Sequence, residues 1–369
     1  MSDQNQQYTI GEHPDMDAPV SSIGFVGWMR ENLFSSPLNT ILTLIALYII
    51  YITVPPVIDW AFISADWSGD NKDVCSREGA CWPFISTWFK FLMYGRYPVE
   101  ELWRINTMYV IGGVTLAGLI MPGTPYKKWL GLFLLVIYPI IAFIMFVGGA
   151  FGLELVETPL WGGLFLTLVI GITGIVVSLP IGIVLALGRR SHMPVIRSVC
   201  VAFIEFWRGV PLITVLFMSS VMFPLFLPEG MNFDKLIRAL AGVALFSSAY
   251  MAEVVRGGLQ AIPKGQYEAA GSLGLPYWKT MNLVVLPQAL KLVIPGIVNT
   301  FIGLFKDTTL VLIIGLFDLL GSAQAALTNP KWPGFSTEAY VFTAFTFWVF
   351  CFSMSRYSQS LEKKLHTGH

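Results

Sequence analysis

Long apolar runs alternate with short polar stretches along the whole chain. The runs fall at roughly 38–58, 105–122, 129–149, 161–187, 209–227, 236–256, 290–315 and 337–356. Each is near the ~20 residues that an α-helix needs to cross a hydrocarbon core. Thr40 to Tyr51 and Leu130 to Val147 do not alternate, whereas a membrane β-barrel requires alternating segments of about ten residues. The pattern predicts an all-α integral membrane protein with about eight transmembrane helices.

One run is too long. Residues 193–207, MPVIRSVCVAFIEFW, are apolar enough to join the span that follows. The joined helix would reach Leu227 and measure about 50 Å, more than one crossing accommodates. Arg197 and Glu205 also interrupt it. The reading is an interfacial helix there and a crossing that starts near Gly209, with Arg208 at headgroup level. The alternative puts Arg208 within the membrane, in a substrate path.

Composition agrees with the pattern. Mean hydropathy is +0.66 and 12% of residues are charged, about half the usual share in soluble domains. The formal net charge is zero, so no nucleic-acid footprint is implied. The first 38 residues hold no early apolar core, which argues against a cleaved signal peptide. With the N-terminus inside, thirteen Lys and Arg fall in inner segments and eight in outer ones, five of the eight in the long loop 61–104. The positive-inside rule thus places both termini in the cytoplasm, with 1–37 and 359–369 as cytoplasmic tails and 61–104 on the outer side.

The outer loop carries Trp60, Trp67, Trp82, Trp88 and Trp103. With Phe84, Phe89 and Tyr94 they read as helical segments at the outer interface, where aromatic rings with polar tips are favoured, or as a packed cap. Cys75 and Cys81 lie in this loop and form a disulfide if it faces an oxidising compartment. Cys200 and Cys351 read as small apolar residues in or beside helices. His13, His192, His366 and His369 are dispersed, and no metal site or catalytic constellation is predicted. No GxxxxGK[ST] sequence occurs, so this chain binds no nucleotide through a P-loop.

A small, polar stretch stands apart, KGQYEAAGSLGLPYW, Lys264 to Trp278. Ile262-Pro263 breaks the preceding span, Gln266 to Leu273 favours helix, and Gly274 with Pro276 is a stop signal. A helix of two turns is not stable alone, so packing must hold it. Ala269, Ala270 and Gly271 make it thin, and Gly271 costs up to about 1 kcal/mol in a helix, which points to a close contact there. Glu268 offers one charge. From the residues alone an ordinary amphipathic connector remains open.

The stretch resembles the EAA loop of ABC importer membrane subunits: Glu268-Ala269-Ala270, three residues, Gly274, nine residues, an aliphatic position filled here by Val284 rather than the usual Ile, one residue, Leu286-Pro287. FWRGVPL (Phe206 to Leu212), AYMAEVVRGGLQAIPKGQ (Ala249 to Gln266) and KDTTL (Lys306 to Leu310) resemble the polar amino-acid branch of that family. CSREGACW and RYPVEELWR resemble the longer permease subunit of general L-amino-acid importers. The resemblance implies a type I importer transmembrane domain over 157–358, with the EAA loop at about 262–287 and extra N-terminal helices over 38–156. It implies ATPase coupling through Glu268, Ala269, Ala270, Gly271, Gly274 and Pro287. It also implies a second homologous permease subunit, two ATPase subunits that use ATP and magnesium, a periplasmic binding protein and an L-amino acid substrate. The location implied is a bacterial inner membrane, and no cofactor is expected on this chain.

Lys306, Asp307, Thr308 and Thr309 interrupt an apolar run. Charges at membrane depth usually face a cavity or the bundle interior, and this set complements a zwitterion. It is a candidate substrate path, or else an ion pair or a helix break. Glu253 and Arg256, three apart on one helix face, pair at the cytoplasmic end and support the coupling loop. Two other classes stay in view. An ion-gradient carrier often shows two similar halves, and no repeat is evident here. A scaffold role falls most naturally on 1–155.

Overall fold

The structure is a computed structural model that describes residues 24–365 except 70, 122, 229, 231 and 232. The expected cytoplasmic tail over 1–37 lies largely outside the described residues, as do His13, His366 and His369. The described chain is helical, with isolated bridges and no strand. It divides into two compact units.

The first unit holds the chain to Trp67 together with Cys75–Cys81. Helix α1 is Gly24–Asn32 and α2 is Pro37–Ile58, continued by a π-helical turn to Ile63. Ser36 caps α2 through Asn39 N–H at 3.2 Å. No residue in the most apolar window of α2 is buried inside the protein. A helix that is apolar all round and unburied is one whose solvent is lipid. Beyond it, Asp66 accepts from the N–H and hydroxyl of Ser76 at 2.7 and 3.0 Å. Ala80 N–H bonds Trp60 O, and Asp66 N–H bonds Ala80 O. Cys75 and Cys81 are joined in a disulfide, their Cα atoms 5.6 Å apart.

The second unit holds Ser68–Val74 and the chain from Trp82. Its helices are α3 (Trp82–Tyr94), α4 (Leu102–Ile120), α5 (Lys127–Leu132), α6 (Tyr138–Val147), α7 (Gly163–Arg189), α8 (Pro194–Gly209), α9 (Leu212–Phe217), α10 (Lys235–Ala261), α11 (Lys264–Ser272), α12 (Tyr277–Thr280), α13 (Leu286–Leu292), α14 (Ile294–Asp307), α15 (Leu319–Leu327) and α16 (Ser336–Leu365). A π-helical turn joins α5 to α6.

Among the described residues, six helical runs are long and apolar enough to span: Pro37–Ile63, Lys127–Val147, Gly163–Arg189, Lys235–Ala261, Ile294–Ile314 and Ser336–Leu365. Helix α8 with the run Leu212–Phe226 makes a seventh, bent by 102°. The break falls between Gly209 and Leu212, where the length argument required one, and Pro211 stands at it. The remaining expected crossing, 105–122, is occupied by α4, which is less apolar because it carries Arg104 and Asn106.

One core binds residues on both sides of position 156. Tyr97, Ile105, Phe146, Val156, Trp161, Phe165, Leu216 and Val243 belong to it. Tyr97 O–H donates to Phe146 O at 2.9 Å, and its ring meets Phe165 edge-on. Arg104, 1% exposed, pairs with Glu101 at 2.6 Å and donates to Glu154 O at 2.7 Å. A buried guanidinium needs such partners.

Helices α7 and α10 pack through small residues, as helices in lipid do. A Cβ on Gly182 would lie 2.7 Å from Met251 Cγ and 3.1 Å from Ala252 N. Gly182→Val is therefore expected to destabilise the fold by about 2 kcal/mol through overpacking, read as a lower unfolding midpoint in detergent. Gly113→Val, with nothing within 4 Å, is the control expected to leave the midpoint nearly unchanged.

A candidate coupling site

Helix α11 begins directly after the two-residue link Ile262-Pro263, two residues earlier than the sequence suggests. It ends in a Schellman motif: Leu275 N–H donates to Ala270 O at 3.1 Å and Gly274 N–H to Gly271 O at 2.9 Å. Gly274 has φ +70°, a conformation open to glycine at little cost. The stop signal thus has its physical basis in the backbone.

The helix has two sides. Ala270 is buried. Tyr267 packs on the cluster of Val255, Leu259, Ile262, Met281, Val285 and Ala289. Gln288 donates to Gln266 Oε1 at 3.1 Å. On the other side Glu268, Ala269 and Gly271 are exposed, and Leu273 and Trp278 are 79% and 65% exposed. Nothing lies within 4 Å of a Cβ on Gly271. Among the described residues, no neighbour makes the close contact expected at Gly271. The thin surface faces outward, open to another polypeptide.

After α12, a π-helical turn, Met281–Val285, leads into α13. Pro287 stands in the first turn of α13, directly after the π-helical turn. Gln288 also donates to Val284 O at 2.8 Å. The segment from Lys264 to Leu292 is thus a chain of short helices folded back on the end of α10.

Glu253 and Arg256 pair as expected, with Arg256 Nε and Nη2 donating to Glu253 Oε2 at 3.0 and 2.8 Å. They belong to a larger network. Arg189 Nη1, at the end of α7, lies 3.1 Å from Glu253 Oε1 and 2.8 Å from Glu205 Oε1 on α8. Arg208 lies 3.8 Å from Glu253 Oε2, with its guanidinium over the Tyr250 ring. One carboxylate therefore gathers three guanidinium groups beside the bend between α8 and α9. The i,i+3 pair is visible in the sequence, but Arg189, Glu205 and Arg208 are not, because their partners are remote along the chain.

Lys306 and Asp307 close α14, and Thr308 opens a 3-10 stretch that runs to Ile314. Thr308 is buried and its hydroxyl donates to Phe305 O at 2.7 Å. Thr309 donates to Lys306 O at 2.9 Å. Both hydroxyl protons thus serve the helix end, and Lys306 and Asp307 form no ion pair among the described residues. The arrangement is a helix break that leaves one cation and one anion side by side. Among the described residues, no group of three His, Cys, Asp or Glu could hold a metal.

Residues 178–367 match the family of binding-protein-dependent transport system inner membrane components. The chain is 58% identical over 356 residues to the inner membrane amino-acid ABC transporter permease protein YhdY of Escherichia coli (strain K12), covering 96% of this chain and 97% of that protein. It is 40% identical to the glutamate/glutamine/aspartate/asparagine transport system permease protein BztC of Rhodobacter capsulatus, covering 95% and 96%. A shorter relative, the probable amino-acid ABC transporter permease protein YckA of Bacillus subtilis (strain 168), is 34% identical and covers 55% of this chain and 87% of its own. Nothing in these likenesses supports the ion-gradient carrier. The chain is a multi-pass transport component and belongs to the family of binding-protein-dependent transport system inner membrane components.

Proposed function

We propose that this chain forms one half of the transmembrane pathway of an ATP-driven L-amino-acid importer, and that α11 is its contact with a separate ATPase. The observation that carries the reading is the two-sided helix. Its inner side is tied to α10 and α13, and its outer side is thin, exposed and without a partner among the described residues. The amino-acid class rests on the two near-full-length relatives described above, which are named as permeases for amino acids.

In this reading a second homologous permease completes the pathway, two ATPase subunits hydrolyse ATP with magnesium, and a periplasmic binding protein delivers the substrate. The first helices, over 38–156, are an addition to a transport domain over 157–358. Glu268, Ala269, Ala270, Gly271, Gly274 and Pro287 shape the coupling loop, and Glu253 with Arg256 supports it. Lys306 and Asp307 line the path, their two charges complementing a zwitterion, and Thr308 and Thr309 hold the helix break that presents them.

The disulfide supports an orientation. Disulfides persist in oxidising compartments, so Cys75 and Cys81 belong outside. Counting α4, α5–α6, α7, α8–α9 and α10 as five crossings, α11 is then cytoplasmic, in accord with the positive-inside count.

An impermeant maleimide tests both statements. Cys75 and Cys81 are expected to react from the outer side only after reduction. The variant Gly271→Cys is expected to react from the cytoplasmic side alone, and only when the ATPase has been stripped. Labelling of that variant at position 271 from outside, or equal labelling with and without the ATPase, contradicts the reading.

A further inference from the structure

Helix α11 is joined to the bundle by Ile262-Pro263, by the packing of Tyr267 and by Gln266. A further, polar tie joins it to the end of α7. Arg190 is the C-cap of α7. Its Nη1 donates to Leu259 O at 2.7 Å and to the Tyr267 hydroxyl at 3.1 Å. Its guanidinium lies over the Tyr267 ring, 5.7 Å from the centroid. The Tyr267 hydroxyl in turn donates to the same Leu259 carbonyl at 3.3 Å. Three elements meet at one oxygen: the end of α7, the last turn of α10 and the middle of α11.

The chemistry suits a rigid joint. Leu259 O is among the last four carbonyls of α10, which have no partner inside the helix. Two donors from two other elements satisfy it. The charge of Arg190 sits at the C-termini of both α7 and α10, where a cation is favoured. Arg190 is exposed, so burial does not hold it. What fixes it is the convergence of two hydrogen bonds and a ring face. Arg189, its neighbour, reaches the other way, to Glu205 and Glu253. The paired arginines thus tie α7 to α8, α10 and α11 at once.

We infer that Arg190 and Tyr267 are positioning residues that lock α11 to α7 and α10, so that displacement of α11 turns those two helices together. This rests on the reading of α11 as the ATPase contact and adds how the displacement is passed on.

The test uses the complete complex, purified with its ATPase and reconstituted with a binding protein. The readouts are ATP hydrolysed and radiolabelled L-amino acids accumulated, taken from a mixture of the common ones. Tyr267→Ala and Arg190→Ala are expected to retain the ATPase through purification and to hydrolyse ATP within about twofold of the unchanged complex. Amino acid moved per ATP is expected to fall about tenfold. Tyr267→Phe keeps the ring and is expected to lie between, and Arg190→Lys is expected not to rescue, because Lys lacks the planar fork.

An unchanged ratio of transport to hydrolysis in Tyr267→Ala overturns the inference. So does a parallel fall of both activities in Tyr267→Phe, which marks a merely structural role. Failure of the unchanged protein to retain any ATPase overturns the ATPase-contact reading itself, and that outcome is visible before any variant is assayed.

Discussion

Glu268→Arg is expected to abolish retention of the ATPase while leaving the membrane fold intact. Glu268 is exposed and forms no ion pair among the described residues. Within the chain, its backbone carbonyl accepts from Ser272 at 3.0 Å, a bond that the substitution preserves. Nothing in the chain's own packing depends on the carboxylate, so the unfolding midpoint should hold. Charge reversal on a docking face costs several kcal/mol when it sets like charges together, which weakens capture on the order of a hundredfold. Pull-down from detergent, with an unfolding curve beside it, separates the two effects. Loss of ATPase together with loss of fold contradicts the assignment of Glu268 to an outward face. Gly274→Val is expected to act by another route, forcing a β-branched side chain into a conformation with φ +70° that costs about 1–2 kcal/mol and displaces the loop after α11.

Glu253→Leu is expected to be the most damaging single change in the transport domain. The side chain is 16% exposed and accepts from or faces Arg189, Arg208 and Arg256. Removing it leaves three guanidinium groups near one another at the ends of α7, α8 and α10. The three guanidinium groups remain 23–36% exposed, so the cost is that of lost charge-assisted hydrogen bonds, roughly 1.5–3 kcal/mol. That is a large share of the roughly 5–15 kcal/mol available to a typical domain. The expected result is loss of assembled protein from the membrane. Glu253→Asp keeps the charge on a shorter stem and should restore assembly with weaker stability. Arg197, exposed on α8 and outside the network, is the control: Arg197→Ala should change the midpoint little. Normal yield and midpoint in Glu253→Leu would show that the network is not a stabilising element.

Much of this was legible in the sequence because the deciding physics is local. Apolar runs near twenty residues locate the spans, since lipid demands that backbone bonds close within each segment. The run from Met193 to Leu227 had to break on length, and the 102° bend falls at Gly209 to Leu212. Gly274 and Pro276 marked the end of α11, and Gly274 supplies the left-handed residue of its Schellman motif. Phe84, Trp88, Phe89 and Tyr94 suggested a helix in the outer loop, and α3 is that helix.

What the sequence did not carry is long-range. Tyr267 meets Arg190 across 77 positions, and Arg189 meets Glu205 across 16. No periodicity encodes such pairs. The π-helical turns at Met281–Val285 and Met218–Met222 are by contrast local: each ends two residues before a proline, Pro287 and Pro224, whose missing N–H interrupts the helical ladder. Gly271 in a short helix points to a close approach, and among the described residues nothing makes it. A small residue in a helix signals room for a neighbour without saying whether the neighbour is the same chain.

The most direct test of the account is amino-acid uptake into proteoliposomes that contain this chain, its partner permease, the ATPase and the binding protein. The account predicts accumulation that requires ATP on the coupling-helix side, survives collapse of the ion gradients by an uncoupler, and disappears with Glu268→Arg. Uptake that proceeds without ATP and collapses with the uncoupler would contradict it.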